Sequence, residues 1–350
     1  MGPKIIEEVK KIFEAGIIPS SINSTHVRLI PKIPSPKTVA EYIPITLCNV
    51  YYKIFSKILT SRLQPILSTI ISENQIAFVP GRAISDNMLI THETPHYLKG
   101  SGATKHCSMA VKSYMSKAYD MLDWSFIVAL MERLSFLPKW INWILQCIST
   151  ISYTFLINGA AQGRAIPQRG IRQGDPLSPF IFILCGEVLS GLCKKAQING
   201  SLPCIKVSRE NPKINHLLFA DDTMFFCKTN QKSCETLCSI LQRYEETSDQ
   251  QINLLKSSIT FLRKTPQEIQ IRVKTSIGIE KEGGQGKYLG LPESFGRRKK
   301  DLFTLIVVRI RQKSINYSSK FLSSASNLIM LKSVLSAIPT YTMSCFKLPT

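Results

Sequence analysis

Acidic residues are scarce in this sequence, and several patterns that would define its class are missing. The 350 residues include 24 Asp plus Glu against 44 Lys plus Arg, which gives a formal net charge of +20. The ten cysteines form no CxxC pair and no Cys/His set with zinc-ligand spacing, so we expect reduced core thiols and not zinc ligands. Because the chain has no internal repeat and no long low-complexity tract, a repeat architecture is not expected.

Long hydrophobic runs are missing as well. The start of the chain has no hydrophobic region of the signal-peptide kind. The most apolar stretch, around Phe180 to Leu192, is broken by Gly186 and Glu187 and is too short to span a bilayer. We therefore expect a soluble intracellular protein with no targeting signal and no membrane partner.

Positive charge and hydrophobic residues are abundant. A hydrophobic content of 44% over 350 residues is enough for a sizeable core in two or three structural units. A charge of +20 favours a polyanionic partner, either nucleic acid or, with less support, an acidic membrane surface. Because Lys and Arg are spread over the whole chain, a positively lined groove is favoured over a disordered basic arm, which indicates nucleic acid.

Hydrophobic periodicity predicts a mixture of helices and strands, and hence an α+β fold. Apolar residues recur at helical spacing in some segments, and β-branched and aromatic residues dominate others. The predicted helices are Ile5–Phe13, Asn49–Leu67, Trp124–Leu134, a segment with Trp140 and Trp143, and Ser233–Ser248. The predicted strands are His26–Pro31, Met109–Tyr114, Ser152–Asn158, Gly163–Ile166 and a short strand near Ile252.

A loop rich in glycine, arginine and proline, Arg169–Pro179, precedes an apolar segment that continues through Leu189. Ser178 has the side chain of an N-cap residue, and Pro179 suits the first helical position. The loop is therefore predicted to lie at a helix N-terminus.

Two apolar runs, His216–Ala220 and Thr223–Cys227, flank Asp221 and Asp222. This pattern predicts a β-hairpin with the two aspartates as its turn. Because aspartate is favoured in tight turns, an isolated Asp-Asp turn is more often structural than catalytic. Two carboxylates at a hairpin tip also match half of a site for the two divalent ions that phosphoryl transfer uses.

The order of these segments along the chain is that of polymerase palm motifs. Phe219-Ala220-Asp221-Asp222 resembles motif C of reverse transcriptases, and Arg169–Pro179 closely resembles motif B of plant LINE-type elements. The resemblance covers nearly the whole chain, and its other segments are His26–Lys32, Pro44–Asn49, Gln75, Phe78, Gly81-Arg82, Asp86-Asn87, Lys117–Asp120, Ile252-Asn253, Lys256-Ser257 (motif D), Tyr288–Pro292 and Ile338–Met343.

This resemblance to the reverse-transcriptase domain of a plant LINE-type non-LTR retrotransposon implies a right-hand polymerase fold, with fingers, a palm built on an antiparallel sheet, and a partial helical thumb. The implied divisions are 1–94 (N-terminal extension and fingers), 95–265 (palm, motifs A to D) and 266–350 (motif E region and partial thumb). The implied activity is RNA-directed DNA polymerisation: two Mg²⁺ ions assist nucleotidyl transfer from deoxynucleoside triphosphates to a primer 3′-hydroxyl. The implied partners are an RNA template and a DNA primer or RNA:DNA hybrid.

The resemblance also assigns roles to single residues. Asp221 and Asp222 would bind the metal ions, and Lys256 would stabilise or protonate the leaving pyrophosphate. The residues assigned to nucleotide or template contacts are Lys117, Tyr119 as the steric gate against a 2′-hydroxyl, Arg172, Gln173 and Gly174.

The sequence departs from the family pattern at three places. Tyr114 stands where motif A carries a metal-binding aspartate, and a phenol is a neutral, bulky and poor ligand for magnesium. Ile43 stands where an arginine suited to the triphosphate precedes Pro-Ile. Asp249 replaces a glycine that normally provides a positive φ. Asp120, which follows the gate residue Tyr119, is not expected to replace the metal ligand that is missing at position 114.

Two functional hypotheses follow from these departures. One is an RNA-directed DNA polymerase domain whose activity is impaired in this copy. The other is a catalytically inactive, nucleic-acid-binding relic of a decayed retrotransposon, and an unstable pseudogene product is a third possibility. The family's life cycle implies residence in the nucleus, the cytoplasm or both, and the sequence does not indicate an oligomeric state.

Overall fold

In a computed structural model, the chain is described for residues 2–100, 107–204, 214–284, 286–293, 300–317 and 323–347. Helices and strands are intermixed throughout these ranges, which confirms the α+β prediction. The helices are α1 (Gly2–Ala15), α2 (Val50–Ile70), α3 (Ile84–Gly100), α4 (Trp124–Arg133), α5 (Pro138–Ser149), α6 (Ser178–Ile198), α7 (Gln231–Ser248), α8 (Gln267–Ile277), α9 (Lys300–Tyr317), α10 (Ser324–Met330) and α11 (Ala337–Cys345). The strands are β1 (Ser24–Pro31), β2 (Tyr42–Leu47), β3 (Ser108–Ser116), β4 (Ser152–Ile157), β5 (Ala160–Ala165), β6 (His216–Phe219), β7 (Asp222–Lys228), β8 (Gln251–Ile252), β9 (Ser258–Phe261), β10 (Lys287–Tyr288) and β11 (Leu291–Pro292).

One sheet, which we call the N-terminal sheet, has the strand order β2-β1-β4-β5. The pairs β1–β2 and β4–β5 are antiparallel, and β1–β4 is parallel. Along β1, Thr25 and Val27 are buried while His26 and Arg28 are exposed. This alternation is that of a sheet with one face packed and one face in solvent.

The second sheet, the central sheet, is antiparallel and has the order β6-β7-β3, with β8 and β9 both paired to the other edge of β3. Met109 and Val111 of β3 pack into a large core with α2 and α4 to α7, whereas Ala110 packs into a smaller core with Phe226 and Tyr288. Because both faces of the sheet are covered, residues 108–113 of β3 are all buried, and the strand does not alternate between buried and exposed positions there.

The predicted helices and strands are present, and several of their boundaries differ by up to three residues. The partner of β4 begins at Ala160, three residues before the predicted Gly163, because Asn158 and Gly159 form a two-residue turn with positive φ values of 51° and 81°. A two-residue turn lets the returning strand pair at once, so Ile157 lies opposite Ala160.

The ten cysteines all lie in the described ranges, no disulfide joins them there, and eight are buried. The apolar stretch around Phe180 to Leu192 lies in α6, most of which is buried in the larger core. A different stretch has the length and composition for crossing a membrane: α10, a π-helical turn (Leu331–Leu335) and α11 form one helical segment, Ser324–Cys345, with a mean hydropathy of 1.2 and 11% burial over its most apolar window. Length and composition alone are weak evidence for a membrane span.

A buried histidine links β6 to α6. His216 is fully buried; its Nε2 lies 2.8 Å from Ser190 Oγ, and its Nδ1 lies 2.6 Å from Asn215 Oδ1. The Asn215 amide nitrogen donates to Cys193 O, so Oδ1 accepts from Nδ1–H and leaves Nε2 to accept from the serine hydroxyl. Burial, and then nearby Lys194, lower the pKa of His216 to about 3.

This histidine should make the protein sensitive to mild acid. Its pKa in the folded state lies below the unfolded value of about 6.5, so the unfolded chain binds more protons and stability is lost as the pH falls below 6.5. We expect the free energy of unfolding to fall by about 2 kcal/mol between pH 7 and pH 5 from this group alone. Urea denaturation at both pH values measures the loss, and an equal loss in His216→Gln would contradict the assignment.

Candidate active site

The two aspartates of the predicted turn lie at one end of the central sheet. Phe219 and Asp222 are directly paired, so the two-residue turn consists of Ala220 and Asp221, and Asp222 begins β7. The prediction that both aspartates form the turn is therefore wrong by one residue. Ala220 has the positive φ, 52°, and Asp221 is exposed.

Tyr114 lies directly opposite Asp222 in the antiparallel β3–β7 ladder. Side chains alternate along a strand, so Tyr114 shares its face of the sheet with Lys112, whose ammonium lies 4.8 Å from the centre of the tyrosine ring. The pKa of Asp222 is raised to about 6, first by burial and then by Asp221, against the opposing effect of Lys112. The Tyr114 ring and the buried cation of Lys112 therefore lie next to Asp222, a predicted metal ligand.

The predicted gate residue lies close to the other aspartate. Tyr119 stacks on Phe182 of α6, with ring centroids 5.1 Å apart and an interplanar angle of 6°. Burial, and then the charge of Asp221, raise the pKa of Tyr119 to about 12, so its hydroxyl stays neutral at physiological pH. The structure thus brings Tyr119 and Asp221 together, and the role of Tyr119 as a gate stays a prediction.

The glycine-rich loop packs directly against the segment that carries the gate residue. Ile171 N donates to Tyr119 O, and Gly170 N donates to Leu122 O, both at 2.7 Å. Gly170 has a φ of +83°, and a Cβ there would lie 2.6 Å from Asp120 O. Only glycine permits both this backbone conformation and this approach, so the loop and the gate segment form one unit.

The same loop contacts the N-terminal sheet through the two residues predicted to meet the nucleotide. Gln173 O accepts hydrogen bonds from Thr46 N at 3.1 Å and Thr46 Oγ1 at 2.7 Å. Gly174 has a φ of +106°, and a Cβ there would lie 3.2 Å from Thr46 O. Gln173 and Gly174 are both exposed, which leaves them accessible for the predicted contact.

The start of α6 differs from the prediction. Ser178 is the first helical residue, and the N-cap is Leu177, which has no side-chain cap. A carboxylate supplies the acceptors instead, because Asp175 accepts from Leu177 N and from Ser178 Oγ, both at 3.3 Å. Its Oδ2 also accepts from Tyr52 OH at 2.8 Å, which ties α2 to the loop.

Arg172 is not placed for the predicted contact with nucleotide or template. Its side chain is 1% exposed, and the guanidinium lies over the Tyr52 ring, 3.7 Å from the centroid. It donates to Thr25 Oγ1 at 3.0 Å and to Cys147 O at 3.1 Å. The assignment of Arg172 is therefore corrected to a structural role in which it joins the N-terminal sheet, α2 and α5 beneath the loop.

Two lysines lie near the gate segment, while Ile43 lies apart from the loop. Burial raises the pKa of Asp120, and the charges of Lys117 and Lys32 oppose this effect. Lys117 is exposed, as the predicted contact with nucleotide requires. Ile43 and Thr46 lie an odd number of residues apart in β2, so Ile43 is on the face opposite the loop.

The segment with Lys256 is attached to the backbone at position 114. Asn253 N donates to Tyr114 O at 2.7 Å, and Tyr114 N donates to Ser257 Oγ at 3.2 Å. Lys256 lies between these two contacts and is exposed. The structure therefore brings it to the end of β3, and its role towards pyrophosphate stays a prediction.

Asp249 takes the conformation that its position was predicted to require. It ends α7 in the left-handed region, with a φ of 61°. Its carboxylate forms an ion pair with Arg169 of the glycine-rich loop, and both side chains are about half exposed. An exposed pair contributes roughly 0–1 kcal/mol, enough to offset part of the backbone cost of replacing glycine.

The sequence analysis missed a buried ion pair beneath the site. Lys112 Nζ lies 2.7 Å from Glu293 Oε1, and the two side chains are 5% and 7% exposed. Glu293 Oε2 accepts from Gly284 N at 2.8 Å, and Lys112 also donates to Lys287 O at 2.5 Å. Lys112 is a charged residue inside the predicted buried strand Met109–Tyr114, and this was the sequence signal that could have revealed the pair.

The residues at the site do not fit a pair of divalent ions. Asp221 and Asp222 offer oxygen donors of the kind that magnesium prefers, but Tyr114 offers a phenol where the family pattern has a third carboxylate. Among the residues that the structure describes, no group of three or more His, Cys, Asp or Glu side chains is arranged to hold a metal ion.

Comparison with known proteins identifies the family of the chain. Residues 30–293 match the profile of the family described as reverse transcriptase (RNA-dependent DNA polymerase). An uncharacterized mitochondrial protein of Arabidopsis thaliana is 70% identical over 69 residues, which cover 20% of this chain and 57% of that protein. The Transposon TX1 149 kDa protein of Xenopus laevis is 25% identical over 259 residues, 74% of this chain and 19% of that protein.

A retrotransposon polyprotein and a solved structure agree with these matches. The Pol polyprotein of the type-1 retrotransposable element R2 of Popillia japonica is 26% identical over 211 residues, 60% of this chain and 28% of that protein. Telomerase of Candida tropicalis, solved with a fragment of telomeric RNA, aligns with a TM-score of 0.53 at 11% identity over 97% of this chain and 56% of that one. The fold is thus the predicted right-hand polymerase fold. The chain spans 57% of the length of the Arabidopsis thaliana protein, and under a third of the length of the Transposon TX1 and R2 proteins.

Proposed function

Because the chain belongs to the reverse-transcriptase (RNA-dependent DNA polymerase) family, as the reverse-transcriptase domain of a LINE-type element, we propose that it binds an RNA template with its primer but transfers nucleotides poorly. The observation that carries the proposal is Tyr114, which lies opposite Asp222 where the family pattern has a metal-binding aspartate. The family uses divalent metal ions, and this donor set is one carboxylate short.

Nucleic-acid binding depends on features that the departures leave intact. The formal net charge of +20 supplies long-range attraction for phosphates. The glycine-rich loop contacts the gate segment and the N-terminal sheet, and it exposes Gln173 and Gly174. We propose that the ligands are an RNA template, a DNA primer and deoxynucleoside triphosphates, with two Mg²⁺ ions in an intact family site.

The alternative is a protein that binds nucleic acid and has no transferase activity at all. Tyr114 also supports this alternative. A site that lacks a whole carboxylate ligand can lose its activity completely, whereas a site with a weakened ligand keeps part of it. The two cases share the binding step and differ only in whether any primer extension is measurable.

Binding should be strong and dependent on salt. If the basic surface neutralises several phosphates, affinity for an RNA:DNA hybrid with a recessed 3′ end should fall on the order of 10³-fold between 50 and 200 mM salt. Fluorescence anisotropy measures this slope. A blunt hybrid of equal length is the control: equal affinity for both would indicate charge attraction alone, and affinity that does not change with salt would contradict the proposal.

A further inference from the structure

The turn that carries Asp221 is held by a segment distant in sequence. Gln75 forms a parallel bridge with Leu218 of β6. Leu218 N donates to Asn74 O at 2.8 Å, and Ile76 N donates to Leu218 O at 3.1 Å. This segment therefore lies along the outer edge of β6, the strand that leads into the turn.

The side chain of Gln75 reaches the turn itself. It is 1% exposed, and its Oε1 accepts hydrogen bonds from Ala77 N at 3.0 Å and Ala220 N at 3.3 Å. Ala220 is a non-glycine residue with a φ of 52°, and it directly precedes Asp221. A left-handed alanine is disfavoured, so an acceptor that fixes its amide has a definite effect on where Asp221 lies.

Only the oxygen of the Gln75 side-chain amide has partners. Its Nε2 is buried and has no hydrogen-bond partner among the residues that the structure describes. An apolar side chain of similar size would avoid the cost of this unpaired donor but would leave the amides of Ala77 and Ala220 without their acceptor. What glutamine supplies here is the single oxygen that joins Ala77 and Ala220.

The segment with Gln75 is itself anchored. The Arg82 guanidinium donates to Ile71 O at 2.9 Å and also to Ser72 O and Gln75 O. These contacts fix the backbone between the end of α2 and Gln75. The chain of contacts thus runs from Arg82 through Gln75 to Ala220.

We propose that Gln75 is a positioning residue for Asp221, acting through the amide of Ala220. This inference rests on the proposed function, because it assigns Asp221 to the reacting end of the sheet. Asn74 offers a matched control: its Nδ2 donates to His216 O at 2.9 Å, so it ties the same segment to β6 without contacting the turn.

The test compares Gln75→Met, Gln75→Glu and Asn74→Ala in the full chain carrying Tyr114→Asp, which restores the third carboxylate. Hydrogen exchange of the segment 217–222 reports the Ala220 amide. It should be faster in Gln75→Met and unchanged in Gln75→Glu, which keeps the oxygen acceptor, and in Asn74→Ala. Affinity for Mn²⁺, measured by electron paramagnetic resonance, should weaken about 10- to 100-fold in Gln75→Met, as for other residues that orient a metal ligand.

The outcomes separate this proposal from the proposed function. Unchanged exchange in Gln75→Met, or a loss of Mn²⁺ affinity no larger than in Asn74→Ala at equal thermal stability, would overturn the role of Gln75. If Gln75→Met alone loses affinity while no variant extends a primer, Gln75 positions Asp221 and the proposed function fails.

Discussion

Replacing Tyr114 with aspartate is expected to raise primer extension by at least about 10²–10³-fold, the scale of effect when one electrostatic stabiliser of a transition state is removed. Tyr114 lies opposite Asp222 at the end of β3, and its backbone is tied to Asn253 and Ser257. Because these backbone contacts do not depend on the side chain, the substitution should leave the sheet intact. Extension of an oligo(dT) primer on poly(rA) with Mg²⁺ at low salt measures the gain.

Tyr114→Asn is the matched control for this experiment. It removes the aromatic ring and has nearly the size of aspartate, but it carries no negative charge. If the asparagine variant gains as much as the aspartate variant, the bulk of the ring is the lesion and not the missing ligand. Extension by the unaltered chain at a rate close to that of Tyr114→Asp would refute the proposed impairment.

Lys112→Met is expected to destabilise the protein by about 3–5 kcal/mol, because it leaves the Glu293 carboxylate buried without a partner. Burial acts to lower the pKa of Lys112, but hydrogen bonds with Glu293 and Tyr114 outweigh it and raise the pKa, so the lysine is charged in the fold. The pair joins β3 to the segment that follows β11, so its loss should loosen the contact between the central sheet and β10–β11. Urea denaturation followed by tryptophan fluorescence measures the change.

Two further variants give this prediction its controls. Lys112→Met combined with Glu293→Leu removes both charges and should recover much of the loss, because an apolar pair can replace a buried ion pair. Lys11→Met breaks an ion pair with Glu8 whose side chains are 59% and 51% exposed, and should leave the free energy of unfolding nearly unchanged. An equally small change in Lys112→Met would show that the buried pair contributes little.

The local features of the site were predictable because each rests on a short-range pattern. The glycine-rich loop Arg169–Pro179 was predicted to lie at a helix N-terminus, and α6 begins at its end. Asp249 was predicted to need a positive φ, and it has one. The turn at Asp221 was placed to within one residue, and the error arose because strand pairing, which a single strand does not reveal, decides which two residues close the hairpin.

The features that failed depend on contacts between distant segments. Arg172 in a loop suggests a solvent-exposed cation, but Tyr52, Thr25 and Cys147 enclose it from three other elements. Ser178 has cap chemistry, but it is the first helical residue and its hydroxyl donates to Asp175. The enclosure of Arg172 could not be read from spacing, because its partners lie far along the chain.

The sequence by itself determined the family, the α+β class, the order of the motifs, the positive charge and the loss of a carboxylate at Tyr114, since each is a property of residue identity or of short periodicity. Only the tertiary structure decided that Tyr114 lies against Asp222, that Lys112 is paired with Glu293 beneath it, and that Gln75 bonds to the amide next to Asp221. These are long-range contacts, whose geometry is set by sheet register and by the packing of both faces of the central sheet. The physical reason is that local propensities act over a few residues, whereas burial and hydrogen-bond partners depend on the whole fold.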